Sequence, residues 1–149
     1  MENLAIIKEK LGKKILNIKE HNKQRIYIDI DTKDIVEVAN FAFNEIGLRF
    51  AIATGVDTPE GIEIIYHFSD DPATGKMISF RVLIKDRKNP EIDSIGKFIP
   101  AADWIEREMW ELLGINFKGH PNLTHLLLID DWPEGDHPLR QESKKARRK

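Results

Sequence analysis

The densest group of chemistry-bearing side chains is Glu106-Arg107-Glu108, inside the stretch PAADWIEREMWELL at residues 100–113. Two carboxylates beside a guanidinium are the parts needed for general acid–base work. On a helix, however, neighbours at i and i+2 face different ways, so this pair does not converge on one substrate. A charged helix face with ion pairs is the favoured reading. Histidine offers the next candidates: His120, His125 and His137. Zinc sites on a helix use the i, i+4 spacing of H-E-x-x-H. His120 and His125 are five apart with Pro121 between them, so that geometry is absent. His67 alternates with strand residues and reads as a sheet histidine. Ser69, Ser79, Ser94 and Ser143 lack a Gly-x-Ser-x-Gly setting, and the glycines form no phosphate-cradling loop. No catalytic, cofactor-binding or metal-binding residue is therefore assigned. The alternative is a small free-standing enzyme using Glu106, Glu108 and His120, which requires a concave site where the three meet.

Two further features bear on partners. Lys144, Lys145, Arg147, Arg148 and Lys149 form a basic tail that suits a polyanion adaptor. A terminal run of this kind is more often a solvated end. Nucleic acid is not expected, because the rest of the chain offers no basic, aromatic-rich platform. Trp104, Trp110 and Trp132 are interface-prone residues, with core packing preferred for Trp104.

The elements that must position these groups follow from periodicity. Leu4, Ile7, Lys8 and Leu11 share one face of a short helix over residues 2–11. Ile26, Ile28 and Ile30 alternate, which predicts a strand over 25–30. Asp31 is placed to cap a helix that buries Ile35, Val38, Ala39, Ala42, Phe43 and Ile46 and stops at Gly47. Strands are expected over 48–54, 62–68 and 77–85, the last two joined as an antiparallel hairpin through DDPATG. A final helix spans 100–113, with Pro100 at its start, Gly114 as its stop, and Ile105, Met109 and Leu112 as its core stripe. Clustered strands predict a single α+β domain. Its sheet is mostly antiparallel or mixed, with about four to five strands and two to three helices. Residues 1–129 are read as the domain. Residues 130–149, with Pro133, Gly135 and Pro138, are read as an extended partner-binding arm, poorly ordered by itself.

Composition narrows the function classes. At 149 residues the chain can close one core without staples. It has no cysteine, which removes disulfides, thiolate nucleophiles and cysteine-ligated iron–sulfur clusters. The net charge of −2 predicts no general attraction to nucleic acid or anionic membrane. The longest apolar runs, such as Leu126-Leu127-Leu128-Ile129, fall far short of the about 20 residues of a spanning helix. The N-terminus lacks a signal-peptide pattern, so a cytoplasmic protein is expected.

The run AADWIEREMWELLGINFKGHPNLTHLLL, Ala101 to Leu128, resembles the signature of the C-subunit family of NADH:quinone oxidoreductases, the peripheral-arm component of complex I. The resemblance is carried by Asp103-Trp104, Glu106-Arg107-Glu108, Glu111, Gly114-Ile115, Phe117, Gly119-His120-Pro121 and Leu123. It continues in Asp131-Trp132 and His137-Pro138-Leu139-Arg140. Departures are Glu111 where the family usually has Asp, Thr124 and His125 where it has basic residues, and Gln141-Glu142-Ser143 after Arg140. The chain stops where many relatives continue or fuse to the large subunit. That points the resemblance toward the small subunit of energy-converting membrane-bound NiFe hydrogenases. The resemblance implies a non-catalytic structural or assembly subunit of the hydrophilic arm, peripheral on the cytoplasmic side of the membrane. It would dock on a large NiFe-hydrogenase-like subunit, near small iron–sulfur subunits, with membrane subunits reached indirectly. The NiFe centre and the iron–sulfur clusters would lie in those partners. Glu106, Arg107, Glu108, Phe117, His120, Pro121, Trp132, His137, Pro138 and Arg140 are the interface residues it suggests.

Overall fold

Alternating isoleucines and aromatics build the sheet of this protein, whose computed structural model describes residues 2–71 and 74–143. The chain opens with helix α1 (Glu2–Leu11) and a 3-10 turn, then runs through β1 (Ile15–Asn22) and β2 (Arg25–Ile30). A 3-10 turn capped by Asp31, whose carboxylate accepts from the Lys33 N–H, leads into α2 (Ile35–Asn40). This helix widens into a π-helical turn at Phe41–Glu45. Three long strands follow: β3 (Arg49–Thr58), β4 (Gly61–Ser69) and β5 (Met77–Ile84). A short β6 (Glu91–Asp93), helix α3 (Asp103–Leu113) and β7 (Asn116–Lys118) complete the regular structure.

The expected α+β class and mixed five-strand sheet are present, in the order β1-β2-β5-β4-β3. All its pairings are antiparallel except β2 with β5, which is parallel. Period-two alternation sends Ile26, Ile28, Ile30, Ile62, Ile64, Tyr66, Phe68, Ile78, Phe80 and Val82 to one buried face. Leu4, Ile7 and Leu11 of α1, Ile35, Val38 and Ala39 of α2, and Met109 and Leu113 of α3 join the same core. Phe50, Phe68 and Phe80 stack edge to face through it, at 5.4 and 5.8 Å between centroids. The opposite sheet face mixes charged and polar residues with Ile52, Val56, Ile65 and Leu83. Arg81 forks onto Asp29 there at 2.6 and 3.0 Å, and its guanidinium lies over Tyr27. α3 crosses close above β3 at Gly55, where a β-carbon would meet Leu113 at 2.5 Å.

Three strands depart from the expectation. β1 has no alternation to announce it, since most of ILNIKEHN is exposed and the strand is held by pairing with β2. β6 and β7 are three residues each and form a separate parallel pair, too short for any period to register. The described part of the segment after 129 contains no strand. It is not free of the body, because it is hydrogen-bonded to α3 and β3.

Candidate functional site

Helix α3 carries two buried carboxylates, and each holds a loop. Glu106 is fully buried. Its Oε2 accepts from the Ser94 hydroxyl at 2.5 Å, and its Oε1 accepts from the Ile95 N–H at 2.7 Å and the Gly96 N–H at 3.3 Å. Gly96 makes this approach close, because a β-carbon there would sit 3.0 Å from Glu106 Oε2 and 3.2 Å from Asp103 Cα, and the neighbours would have to give way by a few tenths of an ångström. Burial pushes the Glu106 carboxyl above the ordinary glutamate value, against the opposing pull of Ser94, Ile95, His120 and Gly96. His120 lies alongside with its side chain enclosed. The Asn122 N–H donates to His120 Nδ1 at 3.0 Å, so the ring proton sits on Nε2 and is donated to the Asp103 carbonyl at 3.0 Å. His120 Nε2 is 3.9 Å from Glu106 Oε2.

The second carboxylate is Glu111, 3% exposed. Oε1 accepts from the N–H groups of Leu126 at 2.7 Å and Leu128 at 3.3 Å and lies 3.0 Å from His125 Nδ1. Oε2 accepts from the Leu127 N–H at 2.9 Å. Desolvation alone raises this carboxyl. The combined donors Leu127, Leu126, Leu128 and His125 outweigh it and hold the group below its ordinary value. Between the two carboxylates, Arg107 donates to the carbonyls of Thr124 and His125 at 3.0 and 2.7 Å. The loop at 121–129 forms no strand or helix. It satisfies its backbone on these charged side chains instead.

The C-terminal end of α3 is finished by residues far along the chain. A helix leaves its last four carbonyls without partners. Here the Trp110 carbonyl accepts from the Gly114 N–H at 3.0 Å, and the Glu111 carbonyl from His137 Nδ1 at 2.8 Å. The Leu112 carbonyl accepts from the Leu139 N–H at 2.9 Å, and the Leu113 carbonyl from Arg140 Nη1 at 3.1 Å. Gly114 sits at φ +75°, and a β-carbon on it would strike the His137 ring at 2.6 Å. Arg140 also donates to the Arg87 carbonyl at 2.6 Å. Asp57, its side chain buried, pairs with Arg87 at 2.8 Å and accepts from the Gln141 N–H at 2.9 Å. The His137-Pro138-Leu139-Arg140 element is therefore a helix cap within this chain.

The suggested interface residues fall into two sets. Glu106, Phe117 and the His120 ring are enclosed in the chain itself. Pro121 is exposed, while Arg107, Glu108, Trp132, His137, Pro138 and Arg140 are half-buried at the surface. The Trp132 indole N–H donates to the Asp136 carbonyl at 2.8 Å. Trp104 is not the core residue expected: it stands 67% exposed on α3. Glu106 and His120 come together, but Glu108 points elsewhere, into a cleft beside Ile52 and Leu139. The three do not meet in an open concave site. His67, on the sheet face away from the core, contacts Ser79 Oγ at 2.8 Å and Thr54 Oγ1 at 3.3 Å. Among the described residues, no group of three or more His, Asp or Glu is placed to hold a metal ion. No helix among them is long and apolar enough to cross a membrane. The basic tail at 144–149 lies outside the described residues. The reading of Glu106-Arg107-Glu108 as a charged surface is corrected for Glu106, since the loop at 94–96 wraps that side of α3. The roles of Glu111, Ser94, Asp57 and Arg87 were not visible in sequence. The signal available was a pair of long connections with no elements of their own, whose N–H groups required partners.

A mixed sheet with three helices carries a motif helix whose charged side chains organise the chain's own loops. Residues 28–149 match the family model described as the respiratory-chain NADH dehydrogenase 30 Kd subunit. The chain belongs to this family of respiratory-complex subunits. The NADH-quinone oxidoreductase C subunit of Moorella thermoacetica is 34% identical over 136 residues, covering 80% of this chain and 88% of that one. The C/D subunit of the same oxidoreductase from Bacteroides thetaiotaomicron is 35% identical over 106 residues, covering 62% of this chain. The alignment spans only 20% of that longer relative. A chain in the structure of an archaeal respiratory membrane complex, the membrane-bound sulfane sulfur reductase, has the same fold. Its TM-score is 0.77 at 23% identity, covering 95% of this chain and 85% of that one.

Proposed function

We propose that this chain is a non-catalytic structural subunit of the hydrophilic arm of a membrane-bound, complex I-like oxidoreductase. It docks on a large subunit related to NiFe hydrogenases. The NiFe centre, the iron–sulfur clusters and the ion-translocating parts belong to partner subunits, and this chain sits peripherally on the cytoplasmic side. One observation carries the reading: the motif's polar side chains are engaged in internal hydrogen bonds. Glu106, Glu111, Arg107, His137 and Arg140 each hold a loop or cap a helix. They fix the shape of a surface that leaves Leu127 and Ile129 more than half exposed. A surface of rigid loops with exposed apolar tips suits burial against another protein. The test is affinity purification of the tagged chain from membranes of its native host. The expected result is recovery with a large subunit, small iron–sulfur proteins and membrane subunits. Recovery as a stable monomer would overturn the proposal.

A further inference from the structure

The two edges of the sheet are treated differently. β1 is guarded in the usual ways: Lys19 and Glu20 stand exposed on it, and two register shifts interrupt its pairing. β3 is not. Between Arg49 and Asp57 its residues, FAIATGV, include no charge and no proline, and its single register shift lies at the start. An unguarded edge offers a row of backbone donors and acceptors for a further strand.

The side chains beside this edge match such a use. A cleft of about 250 Å³ runs between β3 and α3, with Ile52 and Gly55 on one side, Ile105 and Leu112 on the other, and Leu139 of the arm at its end. Glu108 is the one charged residue among the described residues lining it. Of the lining residues Ile52 (50%) and Leu139 (45%) are exposed, apolar surface that water does not favour; Val56 (42%) is exposed further along the same edge strand. Trp104, also exposed, lies one turn before Glu108 on α3.

We infer that the β3 edge receives an extended strand of a partner subunit, whose alternate apolar side chains fill the cleft while a Lys or Arg pairs with Glu108. This rests on the assembly reading above and adds the surface and the mode of contact. Three observations select the occupant. A free strand edge calls for extended backbone, an apolar cleft calls for alternate apolar residues, and a lone carboxylate calls for a cation.

The test uses the tagged chain in its native host, with Ile52→Lys and Glu108→Lys variants. Both positions bear on the cleft rather than the core, so the purified variants should melt within about 2 °C of wild type. Recovery of partners is expected to fall about ten-fold with either variant. Hydrogen exchange of peptides covering 49–58 in the wild-type assembly should slow about ten-fold against the free chain. If the wild type retrieves partners but both variants retrieve them equally well, or if the 49–58 amides exchange as fast in the assembly as in the free chain, this inference falls and the assembly reading stands. If the wild type retrieves nothing, both fall. A free chain that sediments as a dimer and becomes monomeric with Ile52→Lys places a second copy on the edge and overturns the inference.

Discussion

Replacing Glu111 tests the internal role of the motif most directly. Its carboxylate takes three backbone N–H groups of the 126–128 loop and lies 3.0 Å from His125 Nδ1. Glu111→Ala strands those donors. A fully buried donor left unpaired costs about 1–3 kcal/mol, but Leu127 is exposed and Leu126 and Leu128 are half-buried. Water therefore recovers much of the loss. About 1 kcal/mol per donor is the appropriate scale, giving about 3 kcal/mol in total. Glu111→Gln keeps one oxygen but turns an NH2 group toward an N–H, for about 1–2 kcal/mol. The pH dependence has a definite sign. The Glu111 carboxyl is lowered in the fold by its donors, so its contribution is complete above the unfolded-chain value. It is lost as pH falls through the folded value. The gap between wild type and Glu111→Gln should therefore be full at pH 7 and shrink below about pH 4. Urea titrations at both pH values give the numbers, followed by tryptophan fluorescence, to which Trp110, its ring 5.4 Å from His125, contributes. An Ala variant within about 0.5 kcal/mol of wild type, or a Gln gap that does not change with pH, would refute the reasoning.

Glu106→Gln should show the opposite trend. Burial raises the wild-type carboxyl, so wild type gains stability as pH falls toward about 4 and the neutral variant does not. The gap measured by urea titration should widen on acidification. Gly114→Ala forces a β-carbon into a left-handed residue and onto His137, and should cost about 2–3 kcal/mol in thermal unfolding. Limited proteolysis of the same variant should cut within 130–143 faster than in wild type. Arg140→Lys keeps the charge but loses the fork joining the Leu113 and Arg87 carbonyls. It should destabilise by about 1–2 kcal/mol in urea, close to the effect of Arg140→Ala.

Where burial imposes a period, the sequence was readable. The isoleucines of β2, β4 and β5 and the face of α1 lie where alternation and helical spacing put them. β1 escaped because its stability comes from pairing along the edge and not from a buried side. In the stripe read on α3, Met109 is core and Ile105 packs against it, while Leu112 lines the cleft beside β3. The opposite side of the helix is wrapped as well. Nothing in the identity of Glu106 says that the loop at 94–96 will close over it. That depends on contacts 10 to 12 residues apart. Likewise His137-Pro138-Leu139-Arg140 was recognisable as a motif, but its use as a cap depends on bonds spanning 26 and 27 residues. Family likeness marked these residues as special without saying whether they serve the chain itself or its neighbours.

The cap on α3 also orders events in time. During synthesis Gly114 can close the first of the four terminal carbonyls at once, but the groups that close the other three come only with residues 137–140. Until then the last turn can only fray or borrow water, and the sheet beneath it lacks a settled lid. Completion of the helix end thus depends on residues 137–140. A chain cut before His137 would keep every strand of the sheet but leave the carbonyls of Glu111, Leu112 and Leu113 to water.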